Sequence, residues 1–194
     1  MGLSKDYKSP IPGGESGTWK IDRFTVTVED ESLGRMRALY SFSSRGRFVP
    51  AGTYTRLRNN GTLVMSDTPD EIRDHREPIR RAKGTCLLNG LGLGVVADII
   101  LQKPEVEKVW IVEVNLNVVN LVFPYFEKKY GEKVSLVIDN ALLYKPKIGI
   151  RFDMVWHDIW NHISMDNLPE MKTLHRKYGR RCDWQGSWCR DWLK

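Results

Sequence analysis

A strongly apolar run ends in a glycine turn at Leu87-Leu88-Asn89-Gly90-Leu91-Gly92-Leu93-Gly94. Alternate glycines let a chain turn sharply after a strand and bring bare backbone against a ligand or a neighbouring helix. The spacing is GxGxG rather than GxGxxG, which favours contact with a nucleoside over a pyrophosphate cradle. Glu113 stands 19 residues beyond Gly94 (113 − 94), at the end of the apolar run Val109-Trp110-Ile111-Val112. A carboxylate at such a strand tip can accept hydrogen bonds from both hydroxyls of a ribose.

Two further apolar runs end in polar pairs. Val134 to Ile138 is followed by Asp139-Asn140, and Phe152 to Trp156 by His157-Asp158. Ligands of open parallel sheets lie over the carboxyl ends of the strands, so Asp139 and Asn140 are placed to meet the edge of a base. Asp158 and His157 fall beside the glycine turn, where a proton or a cationic group would be handled. Consecutive strand residues point to opposite faces, so one of the two faces a substrate, and Asp158 is the one expected.

The elements that must position these residues follow from the hydrophobic pattern. From Thr85 onward strand-like and helix-like runs alternate: Cys86 to Asn89, Val95 to Leu101, Lys108 to Val114, Leu116 to Lys129, Val134 to Ile138, Phe152 to Asp158, a helix from about Asn167 to Tyr178, and Cys182 to Trp188. That alternation predicts a mainly parallel, Rossmann-like α/β sheet with right-handed crossovers. Thr68-Pro69-Asp70-Glu71 predicts a helix start with a capping hydroxyl, and Pro78 should bend or interrupt that helix. Upstream, Phe24 to Val28, Ala38 to Phe42, Tyr54 to Leu57 and Thr62 to Met65 read as short strands, with a turn at Asn59-Asn60-Gly61. The resulting division is a flexible arm over 1–17, an antiparallel β-hairpin region over 18–67, and the Rossmann-like unit over 68–194.

Bulk composition narrows the function classes. The 194 residues, 41% hydrophobic, suit one globular domain, and neither an apolar run long enough to span a membrane nor a signal-peptide core is present. A soluble, cytoplasmic protein is expected. Cys86, Cys182 and Cys189 are an odd set without CxxC spacing, so reduced thiols are expected and a cysteine zinc site is not. Net charge is +6, with basic tracts over 73–83 and 175–181 that read chiefly as solvated helix faces. His157, Asp158 and His162 could form a metal site, but no cysteine joins them and no metal is expected. Trp156, Trp160, Trp184 and Trp188 concentrate near the expected pocket mouth, as core or as a stacking surface.

The stretch from Thr85 to Trp188 resembles the class I S-adenosylmethionine-dependent methyltransferases, and most of all their spermidine synthase-like branch. The glycine turn, Val112-Glu113-Val114, Val137-Ile138-Asp139-Asn140-Ala141, Asp153-Met154-Val155-Trp156-His157-Asp158 and the strand around Gln185-Gly186 carry the resemblance. It implies S-adenosylmethionine as cofactor, with Gly90, Gly92 and Gly94 along its methionine and ribose, Glu113 on the ribose hydroxyls, and Asp139 with Asn140 near adenine. Asp158 would lie where aminopropyltransferases keep an acid beside the reacting amine. Leu93 stands where those enzymes carry an acid in the glycine turn, Asn161 replaces their second acid, and their glutamine and tyrosine are missing around Met65 and His75.

Methyl transfer to a small-molecule acceptor is therefore the leading reading, with aminopropyl transfer and a non-catalytic nucleoside-binding or structural role as alternatives. A small acceptor is favoured over nucleic acid, although Arg176, Lys177, Arg180 and Arg181 would suit phosphates. Only six residues follow Trp188, where the fuller fold adds two strands. The last strand is thus expected at an edge covered by the amino-terminal strands or, in a homo-oligomer, by another subunit.

Overall fold

The computed structural model describes residues 7–40 and 47–193. Strands β1 (Gly14–Ser16), β2 (Trp19–Val26), β3 (Gly52–Asn59) and β4 (Thr62–Ser66) form an antiparallel sheet in chain order. Asn60 and Gly61 link β3 to β4 with positive φ of 48° and 80°, as a two-residue hairpin loop requires.

Two expectations for this region are corrected. The strands expected around Val28 and over Ala38 to Phe42 are replaced by a helix, α1 (Val28–Tyr40); residues 41 and 42 lie outside the described residues. Its start is a reciprocal cap: Asp30 N–H donates to Thr27 Oγ1 at 3.1 Å, and Thr27 N–H donates to Asp30 Oδ2 at 2.9 Å. Glu29, Asp30 and Glu31 in the first turn then suit the positive end of the helix dipole.

The arm expected over 1–17 is not free over its described part, and β1 itself falls within it. Ile11 is 1% exposed in the core, and Ser9 N–H donates to Asp67 Oδ2 at 2.6 Å. Tyr7 joins Tyr125, Tyr130, Gln102 and Lys129 in donating to the buried carboxylate of Asp98. The Pro and Gly content bends this segment across the sheet, and one apolar side chain with several hydrogen bonds holds it there. Residues 1–6 lie outside the described residues.

The chain next forms two short helices, α2 (Pro69–Asp74) and α3 (Arg76–Arg81). Pro78 explains the break at His75, since its ring crowds the carbonyl of Asp74 and it has no N–H to continue the ladder. Pro69 opens α2 where expected, but the Thr68 hydroxyl makes no capping bond and instead accepts from Ser66 Oγ at 3.1 Å. Glu71 Oε2 accepts from the backbone N–H of Ser66.

The main sheet has five parallel strands: β5 (Gly84–Asn89), β6 (Val106–Glu113), β7 (Val134–Ile138), β8 (Phe152–His157) and β9 (Cys182–Ser187). Their order is β7-β6-β5-β8-β9, so the chain winds outward from β5 to β7 and returns to the other side of β5. The fold is a Rossmann-like doubly wound sheet with a separate antiparallel sheet, and its switch point lies between β5 and β8. Helices α3, α4 (Val95–Leu101) and α5 (Leu116–Tyr130) pack on one face, around Ile79, Cys86, Ile100, Ile111 and Phe126. On the other, α6 (Leu168–Tyr178) covers Leu87, Val155 and Phe152.

The amino-terminal strands pack against α5 and do not pair with β9, which corrects the first of the two coverings expected for that edge. Among the described residues β9 pairs with β8 alone, and no helix is long and apolar enough to cross a membrane. The basic tracts at 73–83 and 175–181 lie on opposite faces of the sheet and form no joint patch. Lys177 is tied to the carbonyls of Ala141 and Leu142, and Arg181 to that of Pro146. All three cysteines are buried, and among the described residues none is joined in a disulfide.

Candidate functional site

A cleft of about 570 Å³ opens over the carboxyl ends of β5, β6, β7 and β8, roofed by Trp19, Leu57 and Leu63 to Met65 of the antiparallel sheet. This volume lies within the usual range for small-molecule sites. Gly90 sits at the switch point with φ of +105°, and a Cβ there would stand 1.9 Å from the Asp158 carbonyl oxygen. Only glycine fits, because β5 and β8 converge there, with Asp158 N–H donating to the Asn89 carbonyl at 2.8 Å.

On one side the cleft is lined by Gly90, Gly92, Glu113, Asn115, Asp139 and Asn140. Glu113, 9% exposed, accepts from Leu91 N–H through Oε2 at 2.9 Å and from Asn115 N–H through Oε1 at 2.8 Å. Each oxygen retains a lone pair for a further donor. Asp139 Oδ1 accepts from Asn140 N–H, and Asn140 Oδ1 from Leu142 N–H, so this strand end is a self-bonded turn facing the cleft.

Gly94 does not line the cleft. A Cβ at that position would meet the Phe126 ring at 2.6 Å, so this glycine serves the contact between the turn and α5. The residue expected along a cofactor thus lies outside the cleft lining. Gly92 does line the cleft, with Met65 Sδ directly over it, and Leu93 N–H donates to that sulfur at 3.2 Å.

The other side of the cleft contains Glu71 from α2 and His75 from the α2–α3 break, then Asp158, Trp160, Asn161, Glu170 and Trp188. Asp158 has an 18% exposed side chain, and among the described residues no hydrogen bond reaches its carboxylate. His75 Nε2 lies 3.7 Å from Asp158 Oδ2, while His75 Nδ1 is buried without a partner. Burial, reinforced by the charges of Glu71, Asp74 and Glu113, pushes the Asp158 carboxyl up to about 8. Burial likewise raises Glu71 to about 7, against the opposing pull of its bonds to Ser66, and lowers His75 to about 4. Trp160 Nε1 donates to Glu170 Oε2 at 2.7 Å, which fixes that wall.

His157 lies elsewhere. It is 0% exposed, with Nδ1 2.8 Å from Asn89 Nδ2 and Nε2 3.2 Å from Gln185 Oε1. Because Gln185 Nε2 donates to the His175 carbonyl, Gln185 Oε1 is the acceptor and His157 carries its proton on Nε2. Burial holds this imidazole neutral, down at about 3. A buried ring with both nitrogens engaged is a brace between β5 and β9, and His157, expected at the reacting group, does not line the cleft. His162 is exposed, and among the described residues no group of three potential ligands could hold a metal. Trp156 and Trp184 stack at 6.3 Å away from the cleft lining, so only Trp160 and Trp188 of the four tryptophans border it.

The sequence left Trp19, Glu71 and Glu170 out of the candidate site, and presented Met65 and His75 only as departures from a resemblance. Pro78 was the available signal for His75, because a helix broken at that point turns its junction residue inward.

No family model matches the chain, and no curated protein matches it. Among solved structures it is similar to the CcbJ methyltransferase from Streptomyces caelestis, with 17% identity over 57% of this chain and 44% of that one, at a TM-score of 0.46. Against an S-adenosylmethionine-dependent methyltransferase from Clostridium acetobutylicum the identity is 17% over 57% and 43%, at a TM-score of 0.40. Against a dimethyladenosine transferase from Plasmodium falciparum it is 14% over 54% and 35%, at 0.41. The matched part spans less than half the length of each of these three proteins.

Proposed function

We propose that the cleft binds S-adenosylmethionine and that the protein transfers its methyl group to an acceptor nitrogen held beside Asp158. The observation that carries this reading is the lining itself. A glycine turn at the switch point and a carboxylate on the next strand face a second wall of acids, and among the described residues no lysine or arginine lines the cleft.

The residues fit such a cofactor. Gly90 and Gly92 present backbone without side chains, and Glu113 keeps one lone pair on each oxygen for the ribose hydroxyls. Asp139 and Asn140 border the place for the base. Bound there, S-adenosylmethionine supplies an electrophilic methyl on a sulfonium. In-line displacement asks the protein mainly for alignment and a dry wall, which Trp160 and Trp188 supply on the acceptor side. Asp158 holds the acceptor's cationic head and takes the nitrogen proton. A carboxyl near 8 is a far better matched base for an amine than an ordinary aspartate.

Aminopropyl transfer, the reaction of the spermidine synthase-like branch, is a second reading favoured by one observation. With no lysine or arginine among the described lining residues, a ligand's carboxylate would have to rely chiefly on backbone donors. Titration calorimetry separates the readings. Tight binding of S-adenosylmethionine with methyl incorporation into an amine supports the first, preference for the decarboxylated form supports the second, and binding of neither leaves a structural role.

A further inference from the structure

Two large aliphatic side chains stand in solvent on the loop between β7 and β8. The chain there runs Leu142-Leu143-Tyr144-Lys145-Pro146-Lys147-Ile148, and its side chains sort by turns. Leu142 and Tyr144 pack inward against the core around Leu174 and Tyr178 of α6, and Pro146 is buried. Leu143, Lys145, Lys147 and Ile148 point outward, with Leu143 69% and Ile148 98% exposed. The loop is clamped beside α6 on one face of the sheet. Lys177 Nζ donates to the carbonyls of Ala141 and Leu142 at 2.8 and 3.0 Å, and Arg181 Nη1 to that of Pro146 at 3.4 Å. Arg176 of α6 and Arg180 just beyond it are exposed on the same face. Among the described residues, the side chains of Lys145, Lys147, Arg176 and Arg180 make no hydrogen bond or ion pair. Asp183, the acid that follows them, is taken by Arg151 at 2.5 Å. The basic tract on the opposite face is different, because Arg73 pairs with Asp70, and Arg80 and Arg81 with Glu77.

We infer that this face docks on an anionic membrane surface, with Leu143 and Ile148 entering the headgroup layer and Lys145, Lys147, Arg176 and Arg180 meeting the lipids' negative groups. The inference goes beyond the proposed function and does not depend on it. A lipid interface uses both features at once: aliphatic tips gain apolar surroundings, and unpaired cations lie in a negative surface potential. Nucleic acid would use the cations but leave Leu143 and Ile148 in water, since single strands are gripped by aromatic side chains on which bases stack. The inward row and the clamps at Lys177 and Arg181 hold the loop in place, so little ordering is needed on docking. Ala141 and Leu142, whose carbonyls hold Lys177, also line the cleft, so the docking face adjoins it.

The measurement is co-sedimentation of the full chain with phosphatidylcholine vesicles containing about 30% phosphatidylserine, and with vesicles of phosphatidylcholine alone. Binding should require the anionic lipid and fall as salt rises. A cation near such a surface contributes about fivefold in affinity, so Lys145→Gln with Lys147→Gln should raise the half-saturating lipid concentration roughly thirty-fold. Ile148→Ser should raise it about tenfold through lost apolar burial. Arg76→Gln with Lys83→Gln, which removes equal charge from the tract on the opposite face, should change it by less than about twofold. All five side chains are exposed, so an unchanged melting temperature reports an intact fold for each variant. Absence of binding to the anionic vesicles, an equal loss from the Arg76 and Lys83 pair, or unchanged binding of Ile148→Ser overturns the inference. So does a single-stranded RNA that displaces the protein from the vesicles and binds Ile148→Ser as well as the parent, because it would assign the same cations to nucleic acid.

Discussion

The two sides of the cleft hold their carboxylates in opposite ways. Glu113 has a backbone N–H on each oxygen and Asp139 accepts from its neighbour, so the side proposed to take the nucleoside is already hydrogen-bonded within the protein. Across the cleft, among the described residues, Asp158 has a histidine at 3.7 Å, repulsion from neighbouring acids and no hydrogen bond to its carboxylate. The first arrangement is built from backbone amides at strand ends, where the parallel sheet supplies fixed donors. The second arises where the α2–α3 break, β8 and the loop after it meet without supplying a donor. A preorganised half can select a ligand by shape and hydrogen bonds, whereas the unpartnered half selects by charge.

The largest expected effect tests the hinge between the halves. Gly90→Ala places a methyl group against the Asp158 carbonyl at positive φ, and should destabilise the protein by about 3 kcal/mol or more, a drop of roughly 10 °C in melting temperature. A thermal scan checks it. Next, Glu113→Ala should weaken S-adenosylhomocysteine binding on the order of a hundred-fold, because charge-assisted bonds to both ribose hydroxyls are lost and Leu91 N–H is left without its partner. Unchanged affinity would show that the preorganised half is not the nucleoside half. Asp158→Asn should leave that affinity within about threefold yet lower turnover on the order of a hundred-fold. Equal losses in both would erase the distinction between the two sides.

Stability against pH offers a finer test. Asp158 and Glu71 are raised in the folded protein from their ordinary values of 3.8 and 4.5 to about 8 and about 7. Between these limits the folded state binds more protons than the unfolded one, so stability falls as pH rises from about 4 to about 8. This is the reverse of a salt-bridged carboxylate. Asp158→Asn should melt higher than the parent at pH 8, with the gap closing toward pH 4. The smallest expected effect is at Met65, whose sulfur covers Gly92 and takes Leu93 N–H. Met65→Ala frees that donor and should tighten S-adenosylhomocysteine by about threefold, read by calorimetry.

The sequence by itself determined the succession of parallel strands and helices, the glycine turn and the strand ends carrying Glu113, Asp139, Asn140 and Asp158. These are local matters, since periodicity, glycine spacing and the polar residue closing an apolar run all lie within a few positions of one another. It misjudged α1, because the Thr27–Asp30 cap that starts the helix was passed over for the β-prone residues around it. It also treated the amino-terminal arm as free, although Ile11 and Tyr7 dock onto partners far along the chain.

Only the tertiary structure decided which residues face the cleft. His157 and Asp158 are adjacent in sequence, yet one braces β5 to β9 and the other enters the cleft. Gly92 and Gly94 are two positions apart, yet one lies beneath Met65 and the other beneath Phe126. Glu71 and His75 acquire their significance 87 and 83 residues before Asp158 (158 − 71 and 158 − 75), where a break in a helix directs them to the same space. Burial and the mutual repulsion of charges depend on distances in space. Residues that are ordinary along the chain therefore come to share one acidic wall only when the fold brings them together.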